Sequence, residues 1–472
     1  MQVEAITVMW FKRDLRLSDN AALTAAAKRG PVVPVFIYDE VFATLGAAAK
    51  LRLEMSLVQL RDQLEIKGLQ LILRRGDALA QLQSIVSETG ADAVFWSRAY
   101  DPASVARDKN IKAQLIDQDI TATSFTGALL FEPWSVETGQ GGPYRVYTPF
   151  WKAVRGRDVA PLTAPPELRP VAQEPESDQL ADWKLSHDMA QGGPIVAAHV
   201  KAGEIAARDR LAEFIKTSIH AYKAQRDFLG EAATSELSDA LTFGEISPKQ
   251  CWHTAQRALQ DGASGAEHYL KELVWREFAW HLLWHYPDLD HRNWRPEWES
   301  FHWIEDENDP KFVAWCRGQT GEPVVDAAMR ELYVTGKMHN RARMIAASYL
   351  TKHLRMHWRL GLKWFADCLV DWDPASNAMG WQWVAGSGPD ASPYFRVFNP
   401  ATQAEKFDAD GRYQDRWIAE KSLDSCADSK SFYDAMPKSW GLKSNQPYPS
   451  KIVDLKQGRL AALAAYEQFK AQ

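Results

Sequence analysis

The chain has 472 residues, 46% of them hydrophobic and 25% charged, with a formal net charge of −6. That length exceeds one ordinary core, so two domains are expected, and the composition excludes a disordered or fibrous chain. The net charge excludes a globally basic nucleic-acid binder, the four scattered cysteines lack a C-x-x-C pair for zinc or iron–sulfur chemistry, and no apolar run has membrane-spanning length. A soluble, monomeric protein of the reducing cytoplasm is the expectation.

Residues 1–130 alternate apolar runs with helical patterns, the signature of a parallel α/β sheet. AITVMWF, PVVPVFIYD, LQLILRR and ADAVFWS read as strands, and Asn20–Arg29 and Leu51–Lys67 as helices. FKRDLRLSDNAAL follows the first strand, in place of a G-x-G-x-x-G dinucleotide fingerprint. The proline-rich PLTAPPELRPVAQEP predicts an extended linker, and Gly192-Gly193-Pro194 a further break. From Val196 to Leu369 helical periods dominate, and Gly458–Lys470 reads as a last helix. The expected division is an α/β domain over 1–130, a linker over 131–200 and a helical domain over 201–472.

Several segments of the second half carry chemistry. In TSELSDALTFGEISP, hydroxyls precede a helical pattern, which suits a diphosphate at a helix start or a simple N-cap. In EHYLKELVWREFAWHLLWHY, Glu272, Trp275 and Arg276 stand at i, i+3 and i+4 on one helix face, either a base-reading set or a solvated ion pair beside a core indole. Asn340, Arg343 and Met344 repeat that spacing. Met338–Lys363 holds six Lys/Arg and no Asp/Glu, a basic stripe suited to phosphate or an ordinary cationic face. Val370–Pro400 is crowded with Gly, Asp, Asn and Trp and reads as chain wrapped around a bound group. Asp371 and Asp373 flank Trp372 without further carboxylates at calcium-loop spacing, so no metal site is expected. Twenty tryptophans supply stacking faces and oxidisable rings.

In this order, and over essentially the whole chain, these segments resemble the DNA photolyase/cryptochrome family, closest to bacterial cyclobutane pyrimidine dimer photolyases. The resemblance implies a Rossmann-like α/β domain and an all-α domain holding FAD. It implies that Tyr222, Thr234, Ser235, Glu236, Leu237, Ser238, Arg276, Asn340, Arg343, Asp371, Asp373 and Asn377 bind the cofactor, Asn377 facing the flavin N5. Trp381, Trp358 and Trp303 would form an electron-transfer chain ending at the surface. Glu272, Trp275, Asn340, Arg341, Met344 and Trp383 would meet a flipped dimer in UV-damaged DNA. Asp39, Arg52 and Asp101 would hold a second antenna chromophore, deazaflavin or folate. Asn340 and Met344 follow the dimer-repair pattern, and plant cryptochromes carry aspartate where Asn377 stands. The implied activity is light-driven dimer repair by electron transfer from excited reduced FAD, the alternative being a cryptochrome-type blue-light photoreceptor without repair.

Overall fold

The computed structural model describes residues 5–391, 393–421 and 426–471. Five parallel strands, β1 (Thr7–Phe11), β2 (Val32–Tyr38), β3 (Ile72–Arg75), β4 (Ala93–Ser97) and β5 (Thr121–Phe125), form one sheet in the order β3-β2-β1-β4-β5. β1, β2 and β4 are buried along their whole length, as helices on both faces of a parallel sheet require. Helix Ala21–Arg29 starts where the Asn20 side chain accepts from Leu23 N, and Ala47–Ile66 extends the expected second helix. Helices Ala78–Thr89 and Pro102–Ile116 and strand β5 complete the domain beyond what the sequence reading named. β5 escaped notice because TATSF is a polar, partly exposed edge strand without clear alternation.

Strand order reverses between β1 and β4, and their C-terminal ends meet the helical domain there. Leu15 N donates to Phe243 O at 3.1 Å, and the buried Arg16 guanidinium donates to Gly244 O at 2.8 Å. Gly244 has φ +67°, and a Cβ there would lie 2.2 Å from Arg13 O, so only glycine permits this approach. The proline-rich segment runs back along the α/β domain: Arg169 O accepts from Val32 N, and Asp178 N donates to Leu73 O. Gly192-Gly193-Pro194 opens the short helix Gly193–Ala198, with the proline in the first turn, where no N–H is missed.

The helical domain is built around Ala266–His285 and Pro374–Ala385, and the C-terminal helix is Leu455–Lys470. Among the described residues no helix is long and apolar enough to cross a membrane. Glu277 lies inside the core, 3% exposed, and accepts from Leu130 N at 2.8 Å and Phe131 N at 3.2 Å. Burial outweighs the neighbouring Arg276 charge and pushes its carboxyl up to about 7. With the folded value raised above the unfolded one, its contribution to stability is complete below the unfolded value and is lost as pH rises through about 7. Glu277→Gln keeps an acceptor for the two N–H groups and removes the titration. Its stability should match the parent's in mild acid and exceed it at alkaline pH, by on the order of 3 kcal/mol at most, with a correspondingly higher melting temperature. Parallel pH profiles for the two proteins would rule this out.

Candidate functional site

A cavity of about 590 Å³, within the range of cofactor clefts, opens in the helical domain. One wall is the loop Thr234–Ser238, which precedes the short helix Ser238–Thr242. Glu236 is left-handed (φ +49°) and its carboxylate pairs with Arg210, whose Nε donates to Ser235 O at 3.0 Å. The loop is thus pinned by Arg210 while Thr234, Ser235, Glu236, Leu237 and Ser238 line the cavity with Tyr222. The opposite wall comes from helix Asn340–Ser348, capped by His339, whose Nδ1 accepts from Arg341 N at 3.1 Å. Asn340 and Arg343 face the cavity, and Arg343 Nη2 donates to Asp371 Oδ2 at 2.8 Å. Asp371 is nearly buried, and its Oδ1 has no hydrogen-bond partner in the structure. A buried carboxylate oxygen left open on the wall of a cavity this size fits a bound group carrying a donor, as FAD does.

The remaining residues named for the cofactor are elsewhere. Asp373 caps helix Pro374–Ala385, with Oδ1 accepting from Ser376 N at 2.7 Å and Oδ2 from Trp280 Nε1 at 3.0 Å. Arg276 donates to Ala128 O at 2.9 Å, and Asn377 Nδ2 to Asp373 O at 3.0 Å. Arg276 and Asp373 line a second cavity of about 50 Å³ where β1 and β4 end, with Arg13, Arg98 and Asp101. Asp371 thus faces the large cavity and Asp373 the small one, with Trp372 between them. Of the residues named for a second chromophore, only Asp101 lines the small cavity. Asp39 is engaged in capping Val41 N and Phe42 N and in an ion pair with Arg107 at 2.5 Å. Arg52 is fully buried against Asp239 and Glu245, away from the small cavity.

The face shared by Glu272, Trp275 and Arg276 divides. Glu272 reaches the large cavity and pairs with Arg226. Trp275, half-buried, stacks on Tyr147 with ring centroids 3.6 Å apart and planes within 6°. Arg276 turns inward. Five elements pack around this helix, so residues 40° to 100° apart on its surface meet different partners. Asn340 is exposed at the large cavity, whereas Met344 and Trp383 are half-buried and do not line it. Arg341 pairs with Asp227 at 2.7 Å and lies 4.5 Å over the Phe407 ring, in a surface groove that also carries Phe228, Arg396 and Lys406.

The basic stripe over Met338–Lys363 is not one surface. Lys352 has no exposed surface, donates to Tyr394 O at 2.9 Å and sits 3.9 Å over that ring. Burial alone pulls its ammonium down to about 7. Arg343 pairs inward with Asp371, Arg359 with Glu299 and Lys363 with Glu307. At Arg341, Arg343, Arg359 and Lys363, acidic residues distant in sequence neutralise what the local sequence left uncompensated.

Trp381 is buried against Phe365 (4.9 Å) and Trp315 (6.2 Å). A Cβ at Gly361 would lie 2.1 Å from the Trp381 ring, so that glycine makes room for the indole. Trp358 is fully buried, with Nε1 donating to Asn293 Oδ1 at 2.8 Å. Trp303 was expected at the surface but is only 9% exposed, covered by Phe301 and Trp298 with centroids at 4.8 and 5.7 Å. The His357 ring lies between Trp303 (4.8 Å) and Trp358 (5.4 Å). Lys337, Glu331, Tyr413, Arg416 and Trp417 also line the large cavity. They belong to no motif, and no local signal could have found them.

Family models described as "FAD binding domain of DNA photolyase" and "DNA photolyase" match residues 269–468 and 7–168. The chain is 47% identical to the deoxyribodipyrimidine photo-lyase of Agrobacterium fabrum, over 99% of this chain and 98% of that one. It is 32% identical to cryptochrome-1 of Arabidopsis thaliana, over 98% of this chain and 70% of that one. The crystal structure of a bacterial class III photolyase from Agrobacterium tumefaciens superposes with a TM-score of 0.91 at 45% identity, covering 100% of this chain and 99% of the other.

Proposed function

The chain belongs to the DNA photolyase/cryptochrome family, and on that premise we propose that it repairs cyclobutane pyrimidine dimers in DNA, driven by light, with FAD in the large cavity. The observation that carries the reading is the Arg343–Asp371 pair with its open carboxylate oxygen, on the wall that faces the Thr234–Ser238 hydroxyls. Tyr222, Thr234, Ser235 and Ser238 hold the diphosphate side, and Asn340, Arg343 and Asp371 orient the flavin side. When bound and reduced, FAD supplies a light-excitable electron donor. Glu272 and Asn340, which line the cavity, offer an acceptor and an amide to base edges of an extruded lesion. The Trp275–Tyr147 stack offers an aromatic platform beside them. Trp381 and Trp358, kept dry by burial, supply electrons to the cavity from inside the fold.

In vitro reversal of dimers in irradiated DNA, with and without blue light, tests the reading. Light-dependent reversal is the expected result. Flavin binding and photochemistry without reversal would move the assignment to the photoreceptor class, which the likeness to cryptochrome-1 supports as the second reading.

Two cations available for DNA phosphates are Arg396 and Lys406, both exposed, in the groove that Arg341 shares. Arg396→Gln and Lys406→Gln should each lower the slope of log K against log salt by about 1 for irradiated DNA. Lys352→Gln should leave that slope unchanged, because the ammonium is inside the fold. Unchanged slopes in both groove variants would take the groove out of the interface.

A further inference from the structure

We propose that Arg52, a residue of the α/β domain, is a positioning residue for FAD: through Asp239 it holds the loop Thr234–Ser238 and cancels buried negative charge behind it. The inference rests on the FAD reading above.

Arg52 stands on helix Ala47–Ile66 and has no exposed surface. Its Nε donates to Asp239 Oδ2 at 3.2 Å, its Nη1 to Glu245 Oε1 at 2.8 Å, and its Nη2 to the other Glu245 oxygen. The planar fork of a guanidinium grips Glu245 with both Nη atoms while its Nε serves Asp239, a geometry that the single nitrogen of an ammonium does not offer. Asp239 is the second residue of helix Ser238–Thr242, directly after the cavity loop. Its Oδ2 also lies 3.6 Å from Lys337 Nζ, and Lys337 lines the same cavity. Glu245 Oε1 accepts in addition from Gly203 N at 2.7 Å. Arg52, Asp239, Glu245 and Lys337 are the charged groups that face one another here, two of each sign. Asp239 is accordingly held below the usual carboxylate range despite its burial, by Arg52 first and Lys337 second.

Without the guanidinium, two buried carboxylates face one lysine. The surplus negative charge sits beneath a loop that has to meet a diphosphate, and the loop loses its tie to the α/β domain. Removal of one partner from a buried ion network leaves an uncompensated charge, and protonation is the way such a charge is relieved. A defect from this cause is therefore pH-dependent and reversible by removing a carboxylate. A packing defect is neither.

The test is titration of the apoprotein with FAD, followed by flavin fluorescence, at about pH 6 and about pH 8, beside melting temperatures. Failure of the parent to bind FAD would overturn the cofactor reading itself. If the parent binds, Arg52→Gln should raise the Kd at least tenfold at the higher pH, ~1.4 kcal/mol, and less at the lower. Arg52→Gln/Glu245→Gln should recover most of the loss. Should Arg52→Gln fail to fold, Glu245→Gln alone decides, since it leaves surplus positive charge behind the loop and should tighten FAD binding. Parent-like affinity in Arg52→Gln, or a loss equal at both pH values and not recovered in the double variant, overturns the proposal. So does a Glu245→Gln protein that binds FAD no more tightly than the parent.

Discussion

Replacing Trp381 by phenylalanine is expected to slow light-driven reduction of oxidised flavin by at least ~10-fold, equivalent to ~1.4 kcal/mol of activation, while repair by chemically pre-reduced protein stays near the parent level. The indole is 3% exposed and wedged between Gly361, Phe365 and Trp315. Phenylalanine keeps most of that packing and removes the oxidisable ring. On the proposed function, repair would use flavin that is already reduced and would not need Trp381. Flash-induced flavin reduction in the variant, set against dimer reversal after dithionite reduction, measures the two separately. Parent-like photoreduction would remove Trp381 from the chain and leave the FAD reading untouched.

Trp275→Ala should weaken binding of dimer-containing DNA by roughly 10-fold or more, the value of one lost base-stacking surface of ~1–3 kcal/mol. FAD content should hold, because neither Trp275 nor Tyr147 lines the large cavity. The stack on Tyr147 makes a second outcome meaningful. If Trp275 only packs, its loss frees Tyr147, lowers the melting temperature and spares lesion affinity. Dimer affinity, flavin content and melting temperature of the one variant decide between these, and parent-like dimer affinity would falsify the platform assignment.

The sequence by itself determined what is local. β1, β2 and β4 follow from uninterrupted apolar runs, since a central parallel strand needs no alternation, and the edge strand β3 from the apolar start of LQLILRR. Thr234–Ser238, Asn340, Arg343 and Asp371, named from the family resemblance because their own spacing left alternatives open, line one cavity. Local spacing cannot report where a side chain meets a distant segment, and the tertiary structure alone decided those cases. Arg52 reads as a chromophore ligand until Asp239 and Glu245, 187 and 193 residues away, are found against it. Lys352 belongs to a basic run in sequence but is buried against Tyr394, because burial depends on what packs over a residue. Trp303 is covered by Trp298 and Phe301, so its expected place at the surface fails for the same reason. Glu272, Trp275 and Arg276 share a helix face and still part company, because several different elements press on that helix. Charge and burial are properties of the assembled chain. A favourable pair at long sequence separation forms only once the fold has met the entropy cost of closing the loop between its members.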